Sequence, residues 1–183
     1  MTGPAEYSGR AGTRSGETVT ARLPDPRTAE CFVFSYSHFE PGSGEALLAY
    51  RFDDGPELLE RIRFPDPPWP LEGARRAAFE RALQILHLVA GVSYYKAGLN
   101  REVVVEEALA PQLADFLNEL YDKGLAELAY VNDLKLDHWP VFFSAAGDFD
   151  AQELILPDRA LVAMGGGKDS LVGLQLLREK NIE

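Results

Sequence analysis

The chain has 183 residues, 46% of them hydrophobic, and a formal charge of -11. This length suits one domain, or one and a fraction, with ample apolar content for a packed core. The acidic balance counts against nucleic-acid binding, which needs a basic face. No apolar run approaches the length of a membrane span, and the N-terminus lacks a charged-then-apolar signal pattern. The expectations are therefore no nucleic acid, no membrane and, by default, a cytoplasmic location. Cys31 is the only cysteine, which excludes an intrachain disulfide and a cysteine-rich metal site. His38, His87 and His138 are too far apart in sequence to show metal-ligand spacing.

Residues 1–28 are rich in Gly, Ser, Thr, Pro and Arg and read as a disordered tail. Cys31 to Phe39 alternates as a half-buried strand does, and Ala46 to Phe52 and Leu58 to Phe64 read as two more strands. Asp53-Asp54-Gly55-Pro56 is a turn between the last two. The simplest arrangement is a three-stranded antiparallel meander. The proline-rich run from Pro65 to Pro70 ends it in an extended segment.

Gly73 to Ala97 reads as one helix, with Phe79, Ala82, Leu83, Leu86, Val89 and Ala90 at helical spacing and Gly98 as its stop. Val103 to Val105 is a short strand or a helix start. Pro111 to Lys123 is a second amphipathic helix, with Leu113, Phe116, Leu117, Leu120 and Tyr121 on one face and Gly124 ending it. Leu125 to Leu136 is ambiguous. Residues 29–150 thus read as an α+β unit.

A different pattern begins near Leu154. Leu161 to Met164 is an apolar run that suits a strand buried on both faces. Gly165, Gly166 and Gly167 follow, and then a helix-compatible segment. Asp169 or Ser170 is a candidate cap for that helix, whose Leu171, Val172, Leu174, Leu176 and Leu177 would pack on a sheet. Strand, glycine turn and helix N-terminus together present free N–H groups to a phosphate. A Walker-type loop needs Ser or Thr directly after Gly-Lys, but Asp169 follows Lys168. A dinucleotide fingerprint needs its glycines spread out, and these are consecutive.

Gly165-Gly166-Gly167-Lys168-Asp169-Ser170 resembles the pyrophosphatase loop (PP-loop) of adenylating ATP enzymes, Ser-Gly-Gly-x-Asp-Ser. It departs from that pattern at Gly165, where one hydroxyl donor is lost. The resemblance implies an α/β chain: an N-terminal α+β unit, 29–150, followed by the start of a Rossmann-like, adenine nucleotide alpha hydrolase-like domain, 151–183. Only one strand and one helix of that domain are expected here. A parallel strand needs neighbours, so the expectation is a fragment of a longer protein, or a chain that completes its sheet with a partner, and one that does not turn over ATP alone.

A second constellation lies on the first long helix. His87, Gly91 and Tyr94 fall at i, i+4 and i+7, and Ser93, Tyr95 and Lys96 add polar groups near its end. On spacing alone, ordinary packing with polar tips at the surface is the stronger reading. The string from His87 to Gly98, the hairpin from Tyr50 to Gly55 and the glycine loop occur in one order. Together they resemble the ATP-dependent epimerase family of peptidoglycan synthesis, which acts on UDP-N-acetylmuramoyl-L-alanyl-L-glutamate.

That resemblance implies inversion of the terminal L-glutamate to D-glutamate, with ATP and magnesium as cofactors. Adenylation of the carboxylate would make the α-proton more acidic. The backbone of Gly165, Gly166 and Gly167 would hold phosphates, with a hydroxyl from Ser170. Asp169 would accept a magnesium-bound water or serve as a cap, and Lys168 would offset phosphate charge or stay solvated. His87, Tyr94, Tyr95 and Lys96 are the acid/base candidates. Arg51, Arg61, Arg63 and Arg101 are candidates for holding the anionic substrate, although ordinary surface charge is the stronger reading of them. The rivals are another adenylating enzyme, for amidation or thiolation, and a non-catalytic nucleotide-binding module.

Overall fold

The computed structural model describes residues 25–134, 139–146, 154–155, 159–160, 162–180 and 182. It divides into two compact units, 1–150 and 151–183. His138 and Leu161 lie outside the described residues.

The first unit is built on a four-stranded sheet of order β3-β2-β1-β4. β1 (Cys31–Glu40), β2 (Glu45–Phe52) and β3 (Leu58–Arg63) form the expected antiparallel meander. Alternation sends Ala46, Leu48, Tyr50 and Phe52 of β2 into the core. Two turns fix the register. Gly44 has φ +69, and a Cβ there would sit 2.8 Å from the Phe64 carbonyl oxygen, so glycine is required. Asp53 also has positive φ, and its Oδ1 accepts the N–H groups of Glu30 and Cys31, both at 2.9 Å. The aspartate that makes the second turn therefore also ties down the start of β1.

β4 (Glu102–Val105) resolves the open reading of 103–105 as a strand, which pairs parallel to β1. Asn100 precedes it and anchors residues 25–28, which form a turn. Its Nδ2 donates to Pro26 O at 2.9 Å and to Ala29 O at 2.7 Å. The proline-rich segment carries Trp69 onto Phe39, Phe64 and Phe79 as an aromatic cluster.

The first long helix is not continuous to Ala97. α1 spans Gly73–Ala90, Gly91 interrupts it, and α2 spans Val92–Tyr95. Gly91 presses against the sheet: a Cβ would lie 2.2 Å from Phe34 Cε1 and 2.8 Å from Tyr50 Cε1. Nor does Gly98 supply the left-handed stop. Leu99 does, at φ +52. Gly98 is instead held by space, since its Cβ would meet Pro26 O at 2.3 Å.

α3 runs Pro111–Val131, with Pro111 in the first turn as expected. The expected stop at Gly124 is overturned. A helical glycine costs about 1 kcal/mol against alanine, while burying a leucine returns about 1.5–3 kcal/mol. Leu125 is buried and Leu128 packs on the core, so the helix continues. Phe116, expected on the inner face, is 49% exposed; Ala114, Leu117, Tyr121 and Leu125 form that face. Asn118 then clamps the returning chain, exchanging two hydrogen bonds with the Phe142 backbone at 2.7 and 3.1 Å.

In the second unit the glycine turn leads into α4 (Lys168–Glu179). The strand expected just before it is absent from the described residues 162–164, and Met164 is 51% exposed. A strand needs a neighbour for its backbone groups, and no described residue pairs with this run. For the same reason α4 has no buried residue: Leu171, Val172 and Leu176 are each more than half exposed.

Candidate functional site

His87 sits at the centre of the first unit, 1% exposed. Its ring lies between Phe34 and Tyr50, with centroids 5.6 and 4.7 Å away. Nε2 is 2.9 Å from Ala49 O, and only a protonated Nε2 can bond to a carbonyl. Burial pushes the imidazole below its ordinary pKa, opposed by the Ala49 bond and the Glu107 carboxylate. The ring is therefore a neutral donor.

Tyr94 reaches the same place from α2. It stacks on Tyr50 at 4.8 Å and donates its hydroxyl to Glu60 at 2.7 Å. His87, Gly91 and Tyr94 thus do share one face, and that face is filled by Phe34 and Tyr50. Tyr95 turns the other way, 2% exposed, and donates to Asn100 O at 3.2 Å; burial pushes its hydroxyl up to about 12. Lys96 is exposed. The four acid/base candidates are therefore not one cluster: two are core residues, and two reach the surface.

The arginines divide as well. Arg51 is fully engaged, donating to Asp53 O at 3.1 Å, Ser35 Oγ at 2.8 Å and Glu106 at 2.7 Å. Arg61 pairs with Glu45 at 2.7 Å. Both serve the sheet. Arg101 lies beside the outer edge of β4.

The glycine loop is open. A Cβ on Gly165, Gly166 or Gly167 would meet nothing within 4 Å, so packing does not demand these glycines. Gly166 has φ +79, which favours glycine for conformational reasons. Neither Asp169 nor Ser170 caps α4. Gly167 is the N-cap, no side chain bonds to the first turn, and Ser170 Oγ donates back to Gly167 O at 2.8 Å. The first N–H groups are left without a side-chain acceptor, with Lys168 beside them. That donor set fits a phosphate. Among the described residues Asp169 belongs to no group of three or more potential metal ligands.

A model of the MurL N-terminal domain family matches residues 24–183. The chain belongs to this family. It is 39% identical over 163 residues to the UDP-N-acetyl-alpha-D-muramoyl-L-alanyl-L-glutamate epimerase of Xanthomonas oryzae pv. oryzae, covering 87% of this chain and 36% of that protein. It is 37% identical over 166 residues to the protein of the same name from a Micromonospora strain, covering 86% and 36%. The Salinispora tropica protein of that name is 34% identical over 167 residues, covering 86% and 35%. The chain thus spans about a third of the length of the curated relatives it matches. No solved structure matches it significantly.

Within this MurL N-terminal domain, two of the strings that carry the family resemblance meet in space, Tyr50 of the hairpin against His87 and Tyr94 of the helix. They mark the packing of α1 on the sheet. Sequence reading missed a cleft between the end of β1 and α1, lined by Ser37, His38, Phe79, Gln84 and Glu107 among others. Its one local signal is Gln84, a polar residue on the apolar face of α1 beside Leu83 and His87.

Proposed function

We propose that the full-length protein is an ATP-dependent epimerase that converts the terminal L-glutamate of UDP-N-acetylmuramoyl-L-alanyl-L-glutamate to D-glutamate in peptidoglycan synthesis. The observation that carries this is identity of 34–39%, over almost the whole chain, to proteins named for that reaction. The open glycine turn ahead of α4 supports the ATP requirement.

An α-proton beside a free carboxylate resists removal, because its loss adds charge to an anion. ATP, with magnesium, would supply an adenylyl group to the carboxylate with release of pyrophosphate, and hydrolysis of the mixed anhydride after proton exchange would release AMP and the inverted product. The residues of this chain have simpler tasks. The N–H groups of Gly166, Gly167 and the first turn of α4 would receive phosphate oxygens, and Lys168 would balance their charge. The Ser170 hydroxyl would turn from Gly167 O to donate outward. Asp169 would hold a magnesium-bound water. His87 and Tyr95 position α1 and α2 on the sheet; Tyr94 and Lys96, the two that reach the surface, are the proton-transfer candidates from this domain. The setting proposed is cytoplasmic, and no helix among the described residues is long and apolar enough to cross a membrane.

The test uses the full-length protein with ATP, magnesium and the UDP-linked substrate in heavy water. D-glutamate carrying deuterium at its α-carbon, formed only with ATP, is the expected result. A folded, ATP-binding protein that yields none would point instead to another adenylated acceptor or to a non-catalytic module.

A further inference from the structure

β1 outruns its parallel neighbour. The pairing of β1 with β4 ends at Phe34 opposite Val105, closed by Glu106 N donating to Phe34 O at 3.1 Å. From Tyr36 onward β1 continues to pair with β2, but β4 has stopped. The chain bends after β4, and Glu107 Oε1 accepts the Ser37 N–H at 3.2 Å in place of a strand carbonyl. α1 forms the far wall. The gap is a cleft of about 410 Å³. It opens at the carboxyl ends of β1 and β4, and its size suits a small molecule.

The lining has two parts. Phe39, Phe79 and Leu83 make an apolar floor, with Phe39 and Phe79 in ring contact at 4.5 Å. The rim is polar and of mixed sign. Arg76 is bonded to Glu80 at 2.8 Å, and Glu107 and Arg81 stand on the same rim. Gln84 is 8% exposed and donates Nε2 to Ala108 O at 3.1 Å, which leaves its amide oxygen as an acceptor. The two carboxylates and two guanidiniums of the rim balance, and Arg76 is already paired with Glu80, so the cleft offers a diphosphate no net attraction. A neutral ligand rich in hydroxyls and amides needs none. It finds acceptors in Gln84 and the carboxylates, donors in the guanidiniums, and an apolar floor for a ring's C–H face.

We propose that this cleft binds a neutral amino-sugar and amide moiety. On the reading of function above, on which this inference rests, that moiety is the N-acetylmuramoyl-L-alanyl portion of the substrate. The diphosphate and the reacting glutamate lie outside the cleft.

The experiment uses the full-length protein and two probes, the amide of N-acetylmuramoyl-L-alanine and UDP, followed by ligand-observed NMR. Three variants are compared with the parent: His38→Ala and Glu80→Ala, which remove exposed rim groups, and Ala77→Trp, which fills the cleft while leaving its polar groups in place. Unchanged thermal melts establish that each is folded. We expect the sugar-amide probe to bind, to weaken about threefold to tenfold in each rim variant, as loss of one hydrogen bond predicts, and to be excluded by Ala77→Trp. UDP binding should not change. In turnover, KM for the UDP-linked substrate should rise with kcat held. Unchanged sugar-amide binding in Ala77→Trp overturns the proposal, and so does a loss of UDP binding instead. Sugar-amide binding that obeys the variants, in a protein that makes no D-glutamate, would uphold the cleft and remove the epimerase reading.

Discussion

Tyr50 donates its hydroxyl to the carbonyl oxygen of His87 at 3.0 Å, beneath a ring pair only 4.7 Å apart. The return bond runs from His87 Nε2 to Ala49 O. β2 and α1 are thereby joined by two hydrogen bonds inside a region that excludes water. Losing one partner there removes a hydrogen bond from a region water does not reach, which costs about 1–3 kcal/mol in addition to the cavity.

The first prediction concerns that pair. His87→Ala should lower the unfolding free energy by about 3 kcal/mol, read from denaturant midpoints. His87→Gln, which keeps a donor toward Ala49, should recover part of the loss. If His87→Ala leaves stability intact and abolishes proton transfer, His87 is a catalytic base after all.

His87 also sets a pH dependence. Its folded-state pKa is lowered by burial. Below about pH 6.5 the unfolded chain binds a proton that the folded domain refuses, so stability is complete above that pH and declines as pH falls, by at most about 1.4 kcal/mol per unit. The wild-type minus His87→Gln difference in stability should therefore shrink between neutral pH and pH 5. A pH-independent difference would show that the ring titrates normally.

Two glycines in helical segments should respond in opposite directions. Gly91→Ala drives a Cβ into Phe34 and Tyr50 and should cost about 1–3 kcal/mol. Gly124→Ala meets nothing within 4 Å in the middle of α3 and should add up to about 1 kcal/mol. Thermal melts of the two variants decide both, and equal shifts would contradict the packing described.

Arg51 separates sheet chemistry from substrate chemistry. Its three hydrogen-bond partners are Asp53, Ser35 and Glu106. Arg51→Ala should destabilise by about 1–3 kcal/mol with KM for the UDP-linked substrate unchanged. A raised KM at unchanged stability would return Arg51 to the binding site.

In the glycine loop, Gly166→Val places a β-branched residue at positive φ and should reduce ATP-dependent pyrophosphate release by the full-length protein at least tenfold, about 1.4 kcal/mol. Gly165→Ser has room for its side chain and supplies the serine hydroxyl of the usual loop pattern, so KM for ATP should fall or hold. A rise would argue against phosphate binding at this end of α4.

The meander was legible because alternation and turn chemistry are local. Ala46, Leu48 and Tyr50 show period two in the sequence, and Asp53-Asp54-Gly55 announces its turn. The first long helix and the start of α3 were legible for the same reason. Other features were not. The helix break at Gly91 depends on two rings contributed by β1 and β2. The extension of α3 past Gly124 depends on what Leu125 meets. The apolar run before the glycine loop resembles a buried strand, yet strand formation needs a neighbour to accept its hydrogen bonds, and none is found among the described residues.

By itself the sequence determined the period of the meander strands and of the long helices, the turn at Asp53 to Gly55, the run of three glycines and the family. These depend on side-chain spacing and backbone angles over a few residues. Only the tertiary structure decided that β4 lies parallel to β1 and stops at Val105, that His87 faces Ala49 rather than solvent, and that Ser37, Gln84 and Glu107 line one cleft. Each of these is a contact between segments dozens of residues apart. Such contacts are settled by burial and by hydrogen-bond satisfaction across the whole core, which no local spacing encodes.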